Sequence, residues 1–231
     1  MSIFLINPYI YQVTDTPVEQ IANAEAMSFN GVDGYFTTNS IFSALDGLQK
    51  MTLSVWVKPT NLNFRHIITI ASGTGNSNNL IRLATSDTGA LWWNVGTSSS
   101  NALETTPALT LNQWNHIGLV FDSTQSAVSD YVKMFVNGTL SPATVGMNAG
   151  KTIGTATGWI FIGENAGWLS YLNSFAVEMD EVAIFNTALS SEKITQIYDA
   201  TAVVGGIPQT ANLFTGGLSS SLVYWNRMGD S

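Results

Sequence analysis

The stretch "MTLSVWVKP", residues 51–59, changes character at every step: Leu53, Val55 and Val57 fall on one face, Thr52, Ser54, Trp56 and Lys58 on the other. A period of two is the repeat of a β-strand, whose successive side chains point to opposite faces. Short runs of this kind recur down the chain between turn clusters. "HIITIAS" (66–72) is almost wholly apolar, as a strand covered on both faces requires. "NLIRLAT" (79–85) and "ALWWNVG" (90–96) flank "SDTG", a turn by its residues. "QWNHIGLVFD" (113–122) precedes "DYVKMFVNGTL" (130–140), in which Asn137-Gly138 supplies positive φ at low cost and marks a hairpin. "GWIFIGE" (158–164) and "FAVEMDEVAIF" (175–185) follow, for about ten strands of this spacing. A single helix is predicted, in "SSEKITQIYDAT": Ser190 caps its first turn, Glu192 complements the positive end, and Ile194, Ile197 and Tyr198 form one apolar stripe. The pattern predicts an all-β antiparallel sandwich.

A chain of 231 residues suits one such domain with arms. Hydrophobic residues make up 45%, enough for a sizeable core, whereas charged residues are only 10%, against roughly 25% in soluble proteins at large. The surface must therefore be built from Ser, Thr, Asn and Gln, a composition common in extracellular and virion β-proteins. The net charge of −8 and the scattering of Lys and Arg argue against nucleic acid or an anionic membrane surface as partners. With no cysteine there are no disulfides, thiolate metal sites or cysteine nucleophiles. No apolar run approaches the ~18 residues of a membrane span. The opening "MSIFLINPYIYQV" is read as an arm rather than a secretory signal, because Pro8 interrupts its apolar stretch and no basic region precedes it.

Several segments resemble one family in its own order: "SFNGVDGYF", "LSVWVKP", "QWNHIGLVFD", "VKMFVNGTL", "IFIGENAG" and "MDEVAIFNTALSSEKITQIY". They are similar to the laminin-G-like, concanavalin A-like jelly-roll domain, over roughly residues 24–200. The resemblance implies two antiparallel sheets packed face to face, closed by a short helix after the last long strand. The expected organisation is an N-terminal arm (1–22), the sandwich (23–202) and a C-terminal linker or docking arm (203–231). The ends resemble something narrower. "INPYIYQV" is similar to the openings of phage structural proteins, and "SLVYWNRMGDS" resembles the segment that starts a laminin-G-like unit in tandem phage and marine bacterial proteins.

The chemistry turns on Asp180 and Glu181, two adjacent carboxylates in an otherwise apolar strand. Regular alternation puts Asp180 with Val182 and Ile184, near the sandwich interior, and Glu181 with Ala183 and Phe185. An inward carboxylate must be hydrogen-bonded, neutralised or metal-bound. Two readings stay open: Asp180 accepts backbone hydrogen bonds, or it holds Ca²⁺. The second follows from the resemblance, in which the first and last long strands are neighbours and would bring Asp33 towards Asp180. Concanavalin A-like folds also include glucanases with a Glu-x-Asp-x-Glu strand, but here the sequence is Glu178-Met179-Asp180-Glu181-Val182, and the last acid is absent. His66 and His116 are read as structural, and "SGTGNSNN" (72–79) lacks the strand–helix context of a phosphate loop. Trp92, Trp93 and Trp168 are candidates for a carbohydrate or protein contact, since Trp92 and Trp93 are consecutive on one strand and one of them faces outward.

Large apolar groups also mark both ends: Phe4, Tyr9 and Tyr11 at the front, Phe214, Tyr224 and Trp225 at the back. Patches of this kind are rarely left bare on a monomer. They are expected to be assembly elements. The reading of the whole is a non-enzymatic virion structural or appendage protein, a homo-oligomer such as a trimer, displaying its sandwich towards host-surface glycans. The alternatives are a secreted carbohydrate-binding module and, further off, a glycoside hydrolase.

Overall fold

A computed structural model describes residues 17–23, 25–30, 36–38, 43–62, 64–71, 79–95, 101–104, 109–146, 152–154, 159–163 and 176–228. In chain order the strands begin with β1 (Glu19–Ile21), β2 (Met27–Asn30), β3 (Phe36–Thr38), β4 (Lys50–Pro59), β5 (Arg65–Ala71) and β6 (Asn79–Thr85). They continue with β7 (Leu91–Val95), β8 (Asn101–Glu104), β9 (Asn115–Asp122), β10 (Val132–Val136), β11 (Thr139–Ser141) and β12 (Ala143–Gly146). β13 (Trp159–Ile162), β14 (Ala176–Phe185) and the helix α1 (Ser191–Ala200) lead to the last four strands, β15 (Val203–Val204), β16 (Ile207–Pro208), β17 (Thr210–Asn212) and β18 (Leu222–Asn226).

Two seven-stranded antiparallel sheets carry the fold. One runs β11-β10-β9-β4-β14, with β18 and β2 both beyond β14; the other runs β12-β8-β7-β6-β5-β13-β3. Their inner faces meet in one core. Leu53, Val55, Val57, Ile117, Leu119, Phe121, Met179 and Ile184 of the first sheet pack against Ile68, Ile70, Ile81, Leu83, Trp93 and Val95 of the second. Full burial of such a side chain contributes about 1.5–3 kcal/mol. The period-two pattern of "MTLSVWVKP" is thus the pattern of the sandwich. Among the described residues no helix is long and apolar enough to cross a membrane.

The polar face of β4 is buried as well, because a further layer covers the outside of the first sheet. Helix α1 is its centre. Ser190 caps it, its Oγ accepting from the Lys193 N–H at 3.3 Å, and Ile194 and Ile197 point into the protein. Ile194 sits directly over Gly118 of β9: a Cβ there would lie 2.7 Å from Ile194 Cγ2. Only a residue without a side chain lets the helix come this close.

The rest of the layer is the segment expected to be a C-terminal docking arm. It is instead folded into the domain as far as Met228. β17 pairs with β1, from Glu19 opposite Asn212 to Ile21 opposite Thr210. β18 pairs with β14, from Val182 opposite Asn226 to Phe185 opposite Leu222. β2 pairs with the other half of β14, from Ala176 opposite Asn30 to Met179 opposite Met27. The two strands therefore lie end to end in one lane, one from each end of the domain. Of the apolar residues in this segment, Ala211, Leu213 and Leu218 pack with Val18, Ala183, Phe185, Ile197 and Ala200, whereas Val203, Val204 and Phe214 stay exposed. The expected boundaries shift accordingly, since residues 18–22 and 203–228 share the sandwich's hydrogen bonds and packing. Phe4, Tyr9 and Tyr11 lie outside the described residues.

Candidate functional site

The gap between β18 and β2 falls opposite Asp180 and Glu181. There β14 carries a bulge: Asp180 pairs with Trp56 and Ala183 with Ser54, so three steps on β14 match two on β4. Glu181 takes a φ of +52°, uncommon for a residue with a side chain. The extra residue moves Asp180 onto the face of Ala183 and Phe185, away from the sandwich interior where regular alternation placed it.

Both carboxylates then serve the covering layer. Asp180 is fully buried; its Oδ1 accepts from the Glu181 N–H at 2.8 Å and its Oδ2 from Asn23 Nδ2 at 2.6 Å. The same Asn23 amide donates to the Pro208 carbonyl at 2.8 Å. Glu181, 4% exposed, accepts from the Thr210 hydroxyl at 2.6 Å and from the Trp225 indole N–H at 3.0 Å, with Arg227 Nε 3.9 Å away. Arg227 Nε donates in turn to Thr210 Oγ1 at 3.3 Å. The two acids are a clasp that ties both ends of the domain to β14.

This geometry bears on the metal and enzyme readings. Asp180 accepts from two N–H donors, whereas a calcium ion takes a cage of oxygens, and its expected companion Asp33 lies outside the described residues. Among the described residues no group of three or more His, Cys, Asp or Glu could hold a metal ion. Glu178, the first acid of the partial glucanase pattern, is ion-paired with Lys58 at 2.9 Å, and Lys58 lies 5.9 Å from the Trp114 ring centroid. A retaining mechanism needs a second carboxyl about 5–5.5 Å from the first with a sugar between them, and Asp180 is sealed under the tail. His116 and Ser54 form a hydrogen-bonded pair at 2.9 Å, but both are buried beneath α1, His116 against Trp56 and Tyr198. Burial pushes the His116 pKa down to about 3.

The other outer face, on the second sheet, has a different character. Of the tryptophan pair, Trp93 is fully buried in the core and Trp92 lies outside, half-buried. Cross-strand register sets Thr69, Arg82 and Asn94 in one row of that face and His66, Ala84 and Trp92 in the next. The Arg82 guanidinium lies 5.0 Å from the centroid of the Trp92 ring, and its Nη2 donates to Asn94 Oδ1 at 3.1 Å. Such a cation–π contact orients both groups. Phe64 stands edge-on to Trp92 (6.0 Å between centroids) and to His66 (5.2 Å). Burial, reinforced by the charge of Arg82, pushes the His66 pKa down to about 3, so the ring is neutral. Phe64, Arg82 and Trp92 are all partly exposed and form a rim of two aromatics and a fixed cation. Sequence reasoning found Trp92 but missed the others. Arg82 was legible as the one charge in "NLIRLAT", at an outward position.

Trp168 lies outside the described residues. Of the end residues, Phe214 is 69% exposed and meets the half-buried Trp225 edge-on at 5.5 Å, while Tyr224 lies on the same strand, its hydroxyl accepting from Asn226 Nδ2 at 3.3 Å. Burial raises the Tyr224 pKa.

A family model described as the concanavalin A-like lectin/glucanases superfamily matches residues 30–195. No protein of curated function matches the chain by sequence. Among solved structures, a heptameric SAP-like pentraxin from Limulus polyphemus is similar at TM-score 0.58 and 18% identity, over 92% of this chain and 94% of that one. The CBM40 of Ruminococcus gnavus IT-sialidase, bound to α2,3-sialyllactose, is similar at TM-score 0.55 and 17% identity, over 80% of this chain and 98% of that one. Trypanosoma rangeli sialidase is similar at TM-score 0.54 and 16% identity, over 74% of this chain but only 26% of the enzyme. Identities this low carry the fold alone.

Proposed function

The chain belongs to the concanavalin A-like lectin/glucanase superfamily, and from that premise we propose that it is a non-enzymatic, lectin-like display domain that binds glycan at the Trp92 face. The observation that carries the reading is the contrast between the two outer faces. One is sealed by helix and tail, and its carboxylates are consumed in the clasp. The other presents a half-buried Trp92 beside Phe64, with Arg82 fixed by Asn94. An aromatic ring flanked by polar groups is the usual platform for the apolar side of a sugar ring. The fold shared with a module solved bound to a sialylated trisaccharide supports the same direction.

The test is a glycan array followed by calorimetry on the hits. Trp92→Ala is expected to weaken binding about 5- to 150-fold, or about 1–3 kcal/mol for a lost stacking contact. Failure of the parent protein to retain any glycan would overturn the reading, and unchanged affinity in Trp92→Ala would move the site elsewhere.

For its setting, the proposal is the surface of a virion, where the domain meets the host and the apolar residues Phe4, Tyr9 and Tyr11 join neighbouring subunits. Support comes from the low charge, the absence of cysteine and the phage-like ends. A secreted binding module is the second reading, favoured by the likeness to a carbohydrate-binding module. Mass spectrometry of purified particles decides between them: the virion reading requires the chain at stoichiometric abundance there.

A further inference from the structure

The aromatic rings on the open face do not share a plane. Phe64 and Trp92 stand at 65° to one another with their centroids 6.0 Å apart, and Phe64 meets His66 at 88°. Strand register explains the arrangement. Arg82 belongs to the row on one side of Trp92, whereas Phe64 precedes His66, of the Trp92 row, on the other side. The Arg82 guanidinium lies over the Trp92 ring, 5.0 Å from its centroid, and so occupies one of its two faces. The backbone that carries Phe64 is pinned from both sides. Its N–H donates to Asp87 Oδ1 at 3.0 Å, and its carbonyl accepts from Arg65 Nη1 at 2.7 Å. Asp87 itself sits in a tight turn, closed where the Gly89 N–H donates to the Ser86 carbonyl at 2.9 Å. Gly89 takes a φ of +79° there, a conformation that glycine adopts at no steric cost.

We propose that the Trp92 face recognises a single protruding sugar unit, at the end or on a branch of a soluble glycan, and not the flat surface of a packed polysaccharide. This rests on the glycan-binding reading above and names its ligand class. A sugar stacks on an aromatic ring through its apolar face, so a flat array of chains is met by rings that lie in one plane. Rings at 65° cannot both lie on such a plane, and one face of Trp92 is already covered. A ligand that touches both aromatics must offer surface in two directions. A unit standing out from its chain does so, with its apolar face against one ring and its edge against the other. The partly exposed Phe64, Arg82 and Trp92 are all within reach of such a unit from solvent. The turn beside Phe64 exposes Asp87 and Thr88, whose oxygens suit the hydroxyl groups at the unit's edge.

The experiment uses the full chain and the glycan that the array retains most strongly, prepared as a length series cut back from its inner end. Calorimetry reads affinity, and washed cellulose and chitin particles test for depletion of the protein from solution. Affinity is expected to change less than about threefold as inner units are removed, and to fall more than about tenfold once an exoglycosidase trims the terminal unit. Neither particle is expected to deplete the protein. Phe64→Ala, which removes one wall of the angle, is expected to weaken binding about two- to tenfold, the range for one aromatic contact. Phe64→Leu, which keeps bulk without a ring, stands in if the alanine variant does not fold. Affinity that climbs tenfold or more with chain length overturns the inference, as does depletion by either particle or unchanged binding in the Phe64 variant. In each of those cases the underlying glycan reading stands. If array and particles alike leave the parent unbound, the underlying reading itself fails.

Discussion

Glu181 combines three features that seldom meet in one residue: a left-handed backbone, near-complete burial and a charge. The bulge places it where Thr210, Trp225 and Arg227 converge, and its carboxylate is their common acceptor. Glu181→Ala is expected to lower unfolding free energy by about 3–5 kcal/mol, because it strands buried donors and a half-buried cation. Glu181→Gln keeps an acceptor and should lose less. Urea denaturation checks both, and a loss under about 1 kcal/mol in the alanine variant would remove the clasp's importance. Asp180 makes its own test. Its oxygens accept from Asn23 and a backbone N–H, so the melting temperature is expected to be the same with and without excess EDTA; a drop would favour the Asp33–Asp180 calcium reading. The histidines set the pH response. In the unfolded chain each takes a proton below about 6.5, whereas burial holds His66 and His116 at about 3 in the folded protein. Between those values the unfolded state binds more protons, so stability falls as pH falls, by up to about 1.4 kcal/mol per unit for each ring. Above about 6.5 this contribution is complete. Asp122 adds loss at the acid end: burial opposes its charge, but hydrogen bonds from Thr124 and Gln125 outweigh that and hold it below the usual carboxylate range. Urea midpoints at pH 7, 5 and 4 should descend in that order.

At the scale of elements, the layer over the first sheet is as much part of the domain as the sheets are. Truncation after Ala202 removes the partner of half of β14 and uncovers Glu181, Ala183, Phe185 and Ile197. The shortened chain is expected to be insoluble or to lack a cooperative melt, and a well-folded truncated sandwich would contradict this. Gly118→Val tests the same layer from beneath, since its side chain would drive Ile194, and α1 with it, off the sheet. These features also show where sequence reasoning stops. The strands of the core were legible because burial on one face writes a period of two into "MTLSVWVKP", and α1 was legible from its cap and stripe. The bulge was not. Nothing in "EMDEVAIF" marks an extra residue, and the side chains of Asp180 and Glu181 were assigned to faces by an alternation that breaks between them. The pairing of β18 was hidden for another reason: its flanks are rich in Gly and Ser, which local chemistry reads as linker, while its partner lies far back in the chain. The Trp92 face was half legible. The tryptophan stood out, but its neighbours come from three strands that only the register brings together.

For the molecule as a whole, the first described residues belong to the covering layer, where Val18 packs, whereas the last, Met228, is buried in the core between the sheets. Pro17 adjoins Val18, which packs against Gly216, and Met228 follows Arg227, whose Nη2 donates to the Ala22 carbonyl at 3.5 Å. The Trp92 face is on the far side, beyond two sheets stacked about 10 Å apart. A protein held through its covering layer would therefore turn its aromatic rim away from whatever holds it. The sandwich thus has a back, closed by helix and tail, and a front that carries the rim. Biotin attached at a cysteine introduced at the exposed Val204 should leave glycan capture on a sensor surface undiminished, whereas random coupling should present only a fraction of the molecules with the rim outward. Equal capture from both preparations would mean that the binding surface is not on the side opposite the covering layer.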